Sequence, residues 1–143
     1  MARRSRIEPT IIARTERRRI QETRVPAEPE VSFSFKQLHR KKGKFDYLSC
    51  DSRYFQKLLE RLKALSRMTK SDLVYSHSRA LRFHRIDFRD GKVTEKTFGL
   101  ADDVDDDAWQ FQITKTRHGR VHGYFVESIF YVVWLDPKHE LYH

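Results

Sequence analysis

Basic and hydroxyl-bearing side chains crowd three short stretches of the second half of the chain: Arg82, His84 and Arg85; Lys115, Arg117, His118, Arg120 and His122; then Lys138, His139, Tyr142 and His143. Cleaving a phosphodiester without a metal takes a base for the attacking 2'-hydroxyl, an acid for the leaving 5'-oxygen and cations for the pentacoordinate phosphate. His, Tyr, Arg and Lys supply all three. The plainer alternative is that these are polar groups at strand edges in a basic protein. Other chemistries lack their parts. No Gly-rich phosphate loop and no GxSxG elbow occur, and Cys50, the sole cysteine, has no evident His partner. His118 and His122 are four apart, a metal-binding spacing on a helix but not on an adjoining turn and strand, so neither zinc nor any other metal or cofactor is expected. Asp102, Asp103, Asp105, Asp106 and Asp107 lack the alternating-ligand and glycine pattern of a calcium loop. They read as a solvated acidic loop, with pairing to the chain's own basic N-terminal arm, masking both, as a further option.

The elements that must position these groups follow from hydrophobic periodicity. Val31-Ser-Phe-Ser-Phe35 alternates with period two and predicts a strand with Val31, Phe33 and Phe35 on one face. Gln37 to Lys44 reads as a basic turn, Phe45 to Cys50 as an apolar connector. Asp51 or Ser52 then caps a helix whose apolar stripe is Phe55, Leu58, Leu59, Leu62 and Leu65. Thr69 and Asp72 have the spacing of a capping box and predict a second, short helix through Leu73 to Ser76. Leu81 to Phe88 is strand-like, but Leu81 and Phe83 are out of phase with Ile86 and Phe88, which a bulge near His84-Arg85 would reconcile. Arg89 to Asp107 reads as a long loop. Trp109 to Ile113, Val121 to Val126 and Ile129 to Leu135, rich in β-branched and aromatic residues, predict three strands joined by turns at Lys115 to Arg120 and Glu127-Ser128, with Asp136-Pro137 ending the sheet. The expected fold class is α+β, with one long and one short helix on a small antiparallel sheet.

Charge separates two regions. Of the net +9 over 143 residues, Met1 to Lys44 carries thirteen Lys/Arg against five Asp/Glu. Residues 1–30, with Arg17-Arg18-Arg19, Pro9, Pro26 and Pro29 and no aromatic or leucine side chain, read as a flexible basic arm, and residues 31–143 as the compact domain. Arg17, Arg18 and Arg19 suit salt-dependent phosphate contacts, although a solubilising tail has the same composition. The arm lacks the Trp, Phe and Leu face that a membrane-surface helix buries. Mean hydropathy is -0.75, no apolar run reaches the roughly 18 residues of a spanning helix, and no apolar segment backs the Arg-rich start as a secretory signal requires. One unpaired cysteine fits a reducing compartment. A cytoplasmic, nucleic-acid-associated protein is the expectation.

Trp109-Gln-Phe-Gln-Ile113, His118-Gly-Arg-Val-His-Gly-Tyr-Phe125, Ile129-Phe-Tyr-Val-Val-Trp-Leu135 and Asp136-Pro-Lys-His-Glu-Leu-Tyr142 together resemble the C-terminal half of RelE/YoeB-type toxins, and the helix before them fits too. The resemblance covers roughly residues 51–143 and is one of pattern. It implies a RelE-like toxin, an endoribonuclease (mRNA interferase) of toxin-antitoxin type that cuts messenger RNA at the ribosome, with a cognate antitoxin protein as a partner. It further implies catalytic roles for Arg120, His139 and Tyr142, with Lys138 and Arg82 matching less closely as RNA-positioning cations. His84, Arg117 and His122 join them as RNA-binding candidates from the basic cluster itself. The long basic arm and the acidic stretch depart from the family pattern. Two other functions fit the residues: an RNA- or ribosome-binding protein without catalysis, and a protein-interaction factor of a phage or mobile element.

Overall fold

The computed structural model of the chain describes residues 27–40, 44–75, 82–114 and 119–142. Most of the expected basic arm, including Arg17, Arg18 and Arg19, lies outside the described residues, as do Lys115, Arg117, His118 and His143. Five strands form one sheet in the order β1-β5-β4-β3-β2: β1 Ser32–Ser34, β2 His84–Arg85, β3 Ala108–Gln112, β4 Arg120–Val126 and β5 Ile129–Asp136. Among the described residues there are three α-helices, α1 Ser52–Leu65, α2 Lys70–Val74 and α3 Asp102–Asp105. The α+β class holds. The expected wholly antiparallel sheet does not, because β1 runs parallel to β5, Ser32 facing Ile129 and Ser34 facing Tyr131. A parallel pair needs a long crossover, and everything from α1 to β4 supplies one.

Helix α1 starts where the Asp51 carboxylate accepts the Tyr54 amide at 2.8 Å, satisfying one of the orphan donors of a helix start. Its buried stripe is Tyr54, Leu58, Leu62 and Leu65. Phe55 is only partly covered and Leu59 is 66% exposed, so the stripe is rotated from the expected one and Tyr54 takes the place assigned to Leu59. The capping box of α2 forms, with the Thr69 hydroxyl accepting the Asp72 amide and the Asp72 carboxylate accepting the Thr69 amide. Glu28 reaches the same helix start and accepts both the Ser71 amide and its hydroxyl.

The phase break between Phe83 and Ile86 has a different origin from the expected bulge. Phe83 belongs to the core under α1, and Ile86 to a second core on the opposite face of the sheet. The segment after β2 wraps that second face, burying Ile86, Val93 and Phe98. Its acidic end is not a plain loop: it contains α3, and Asp105 accepts the Phe98 amide and the Thr97 hydroxyl while Asp107 accepts the Trp109 indole N–H. Asp105 thus ties the wrapping segment to itself, and Asp107 ties its end to the start of β3.

Strands β3, β4 and β5 form an antiparallel meander. Gly123 faces Val132 and His122 faces Trp134, so Val133 is one extra residue on β5. A Cβ on Gly123 would fall 2.1 Å from the Tyr131 carbonyl oxygen. Only glycine lets the strands approach this closely.

Candidate functional site

Alternation along β3 sends Trp109 and Phe111 toward α1 and sends Gln110 and Gln112 to the other face. Register then builds two rows of polar side chains across that second face. His84, Gln110, His122 and Trp134 lie opposite one another from β2 to β5, and Gln112, Arg120 and Asp136 form the next row. The extra residue Val133 decides the second row. It shifts the alternation of β5 by one, so that Leu135 faces α1 and Asp136 comes round beside His122.

His122 Nε2–H donates to Asp136 Oδ2 at 2.9 Å, with His122 0% and Asp136 1% exposed. Burial holds the His122 imidazole below its ordinary pKa, outweighing the neighbouring carboxylate. For Asp136 burial pushes upward, but the His122 N–H and the amides of Glu140 and Leu141 prevail and hold it below the usual carboxylate range. The pair is therefore a neutral imidazole donating to an ionised carboxylate. Among the described residues, His122 Nδ1, Gln110 Oε1 and Gln112 Oε1 are buried acceptors without a hydrogen-bond partner, an unusual concentration for one face of a small sheet.

Asp136 also shapes the tail. Pro137 cannot extend the ladder, His139 takes a positive φ of 55°, and the chain turns back so that Glu140 N–H donates to Asp136 Oδ1 at 2.8 Å and Leu141 N–H to Oδ2 at 3.2 Å. Thr94 fastens the returning segment through its amide to the Leu141 carbonyl and its hydroxyl to that of Glu140. Leu141 is fully buried. Tyr142 is thereby set with its ring centroid 5.9 Å from that of His84 and 6.2 Å from that of His139. Burial, helped by Asp90 and Asp87, raises the Tyr142 phenol, so at neutral pH it is a proton donor. Gln110 Nε2–H donates to His84 Nε2, and the carbonyl of Arg85 accepts from His84 Nδ1, partners that assign the proton to Nδ1. Both His84 nitrogens are therefore engaged, and His139 is half-buried.

The structure brings His84, His139 and Tyr142 together, with Lys138 exposed beside His139 and Arg82 exposed two residues before His84. Arg82 has a positive φ of 40°, a conformation that costs a non-glycine residue about 1–2 kcal/mol. Two expected contact residues lie deeper. His122 does not present its ring at the surface, and Arg120 is 5% exposed, its Nη1 donating to the Gly119 carbonyl at 3.1 Å. Burial lowers the Arg120 pKa, the Arg82 charge adds to this, and Asp136 opposes it. The reason for this burial is position: both are on the covered face of a central strand, and Tyr54 Oη on α1 donates to the Arg120 carbonyl at 2.9 Å. Sequence reasoning missed Gln110, Gln112 and Asp136. Two glutamines at inward positions of an aromatic strand, Trp-Gln-Phe-Gln-Ile, carried the signal; nothing in Ile129 to Leu135 marked the parity shift that brings Asp136 into place.

Among the described residues no cluster of three His, Cys, Asp or Glu could hold a metal ion, and no helix is long and apolar enough to cross a membrane. No protein-family model, curated protein or solved structure matches the chain.

Proposed function

We propose that this protein is a RelE/YoeB-like endoribonuclease, acting on messenger RNA at the ribosome in the cytoplasm and cleaving by metal-independent acid/base chemistry. One observation carries the reading: a protonated phenol, Tyr142, has its ring centroid 5.9 Å from that of His84 and 6.2 Å from that of His139, and the exposed cations Arg82 and Lys138 stand in the chain two residues before His84 and next to His139. In this reading His139 takes the proton of the 2'-hydroxyl, the 2'-oxygen bonds to phosphorus, the bond to the 5'-oxygen breaks and Tyr142 protonates the leaving oxygen. Arg82 and Lys138 offset phosphate charge, and Arg120 adds positive potential from beneath the surface. The basic arm supplies affinity for RNA. The ribosome and a cognate antitoxin are the partners that the resemblance brings with it.

Primer-extension mapping of cellular RNA after induced expression tests this. Wild type yields new RNA 5' ends, and Tyr142→Phe or His139→Ala reduces them about a hundredfold or more. Unchanged cuts in the doubly substituted chain remove the assignment. The burial of Arg120 favours a second reading, RNA binding without cleavage. For that reading, no cuts are seen and RNA retention is the same in wild type and in Tyr142→Phe.

A further inference from the structure

A second recess opens on the other side of the tail turn. It is a cleft of about 410 Å³ bounded by the start of α1, the end of β3 and Lys138, a size ordinary for a ligand site. Arg53, Lys57 and Lys138 line it, with Thr114 and the Cys50 thiol in its wall. The one carboxylate there, Asp51, accepts the Tyr54 amide. Lys57 has a loose, exposed partner in Glu60 at 3.5 Å. Among the described residues neither Arg53 nor Lys138 has an ion-pair partner. The contrast is with the wider recess along residues 88–96, about 770 Å³, where Lys44 is tied to Glu95 at 3.1 Å, Arg89 to Asp87 at 3.4 Å, and Asp90 adds a further negative charge. Three cations against one carboxylate in a concave surface create a positive potential that a polyanion lowers.

Lys138 joins this cleft to the Tyr142 cluster, since the next residue is His139. The geometry points to the cleft as a subsite for single-stranded RNA, seating the phosphodiester and nucleotide that flank the scissile bond, with Arg53 and Lys57 gripping the backbone and Lys138 shared between the two places. The orientation rests on the cleavage reading above. The binding itself does not, and the test separates them.

The probe is a 2'-O-methylated single strand of about twelve nucleotides, within the span of single-strand binding sites, which binds but lacks the hydroxyl nucleophile. In fluorescence anisotropy, Arg53→Ala combined with Lys57→Ala should weaken binding roughly tenfold and flatten the slope of log K against log salt by about 1.4, the loss of two phosphate contacts to a single strand. Lys63→Ala with Arg67→Ala removes the same charge at the far end of α1 and should leave both unchanged. Cys50, the chain's only cysteine, is a built-in reporter: burial first, then the nearby carboxylates, pushes its thiol up to about 11, so alkylation is slow enough to time. The oligonucleotide should slow it at least threefold, and inorganic phosphate at the same concentration should not. Equal losses in the two double variants, unaltered affinity in the first, or equal protection by inorganic phosphate each overturn the RNA subsite. Binding with protection but no cellular cuts sinks the cleavage reading alone; cuts without protection sink the subsite alone.

Discussion

The two faces of the sheet are built from the same strands but to opposite rules. Toward α1 the packing is wholly apolar: Phe83, Trp109, Phe111, Phe125 and Phe130 interlock, with ring centroids 5.1 to 6.4 Å apart, over Leu58, Leu62 and Leu65. On the other face sit the five buried polar or charged residues among those described, Gln110, Gln112, Arg120, His122 and Asp136. Burying such groups is costly without hydrogen-bond partners, and the apolar face of a helix offers few. A wrapping loop with a returning tail offers amides, as Asp136 uses those of Glu140 and Leu141. One face therefore gives stability, and the other gives up part of it to hold polar side chains in fixed places. The loop cover is what allows the second face to be polar.

Truncating the apolar face should have the largest effect. Phe111 is fully buried and touches the rings of Phe33, Phe83 and Phe130; Phe111→Ala should cost about 3–5 kcal/mol, read as a lowered denaturation midpoint by urea. A loss below about 1 kcal/mol would show that this face is not the stability core.

Asp136→Asn comes next, at about 2–3 kcal/mol, because it removes a charge-assisted acceptor from three donors, His122 Nε2–H and the amides of Glu140 and Leu141. Its signature is local: the tail is released, and hydrogen exchange at the Glu140 and Leu141 amides rises far more than at β3. Equal rises everywhere would deny the face its separate role. The same pair sets a pH dependence. His122 has a folded pKa depressed below its unfolded value near 6.5, so the unfolded chain binds the proton first. Its contribution is complete above pH 6.5 and is lost as pH falls below that. Asp136, also depressed, adds loss only below about pH 4. His122→Gln should therefore flatten the stability profile between pH 6.5 and 5, and an unaltered slope in thermal melts across that window would remove His122 as its origin.

The smallest effect joins the two faces. Tyr54→Phe deletes the hydrogen bond from α1 to the Arg120 carbonyl and should cost about 1 kcal/mol, measured by the same urea titration. A cost equal to that of Phe111→Ala would mean that the helix and the polar rows are a single unit.

How much of this the sequence shows depends on the face. Period-3.6 and period-2 patterns report burial against apolar partners, so α1, the α2 capping box and β3 to β5 are readable within a residue or two. The parallel pairing of β1 is not, because a three-residue strand carries no sign of its neighbour's direction. Leu59 fits the stripe by its spacing from Phe55, yet packing buries Tyr54 and leaves Leu59 exposed. At the site, the basic and aromatic residue types were legible, as were His139 and Tyr142 as a tail pair. Depth was not: Arg120 and His122 look the same in a sequence whether their strand face is wet or covered, and the shift that turns Asp136 inward comes from strand register.

The parallel pair has a consequence in time. Ser32 meets Ile129 roughly a hundred residues later, a long loop to close and a mark of slow, late-folding topology. During synthesis β1 waits without its neighbour while α1 and the meander assemble, and the segment bearing His139 and Tyr142 follows the strand that completes the sheet. A nascent chain halted before β5 holds neither the finished sheet nor the segment that sets Tyr142 beside His84.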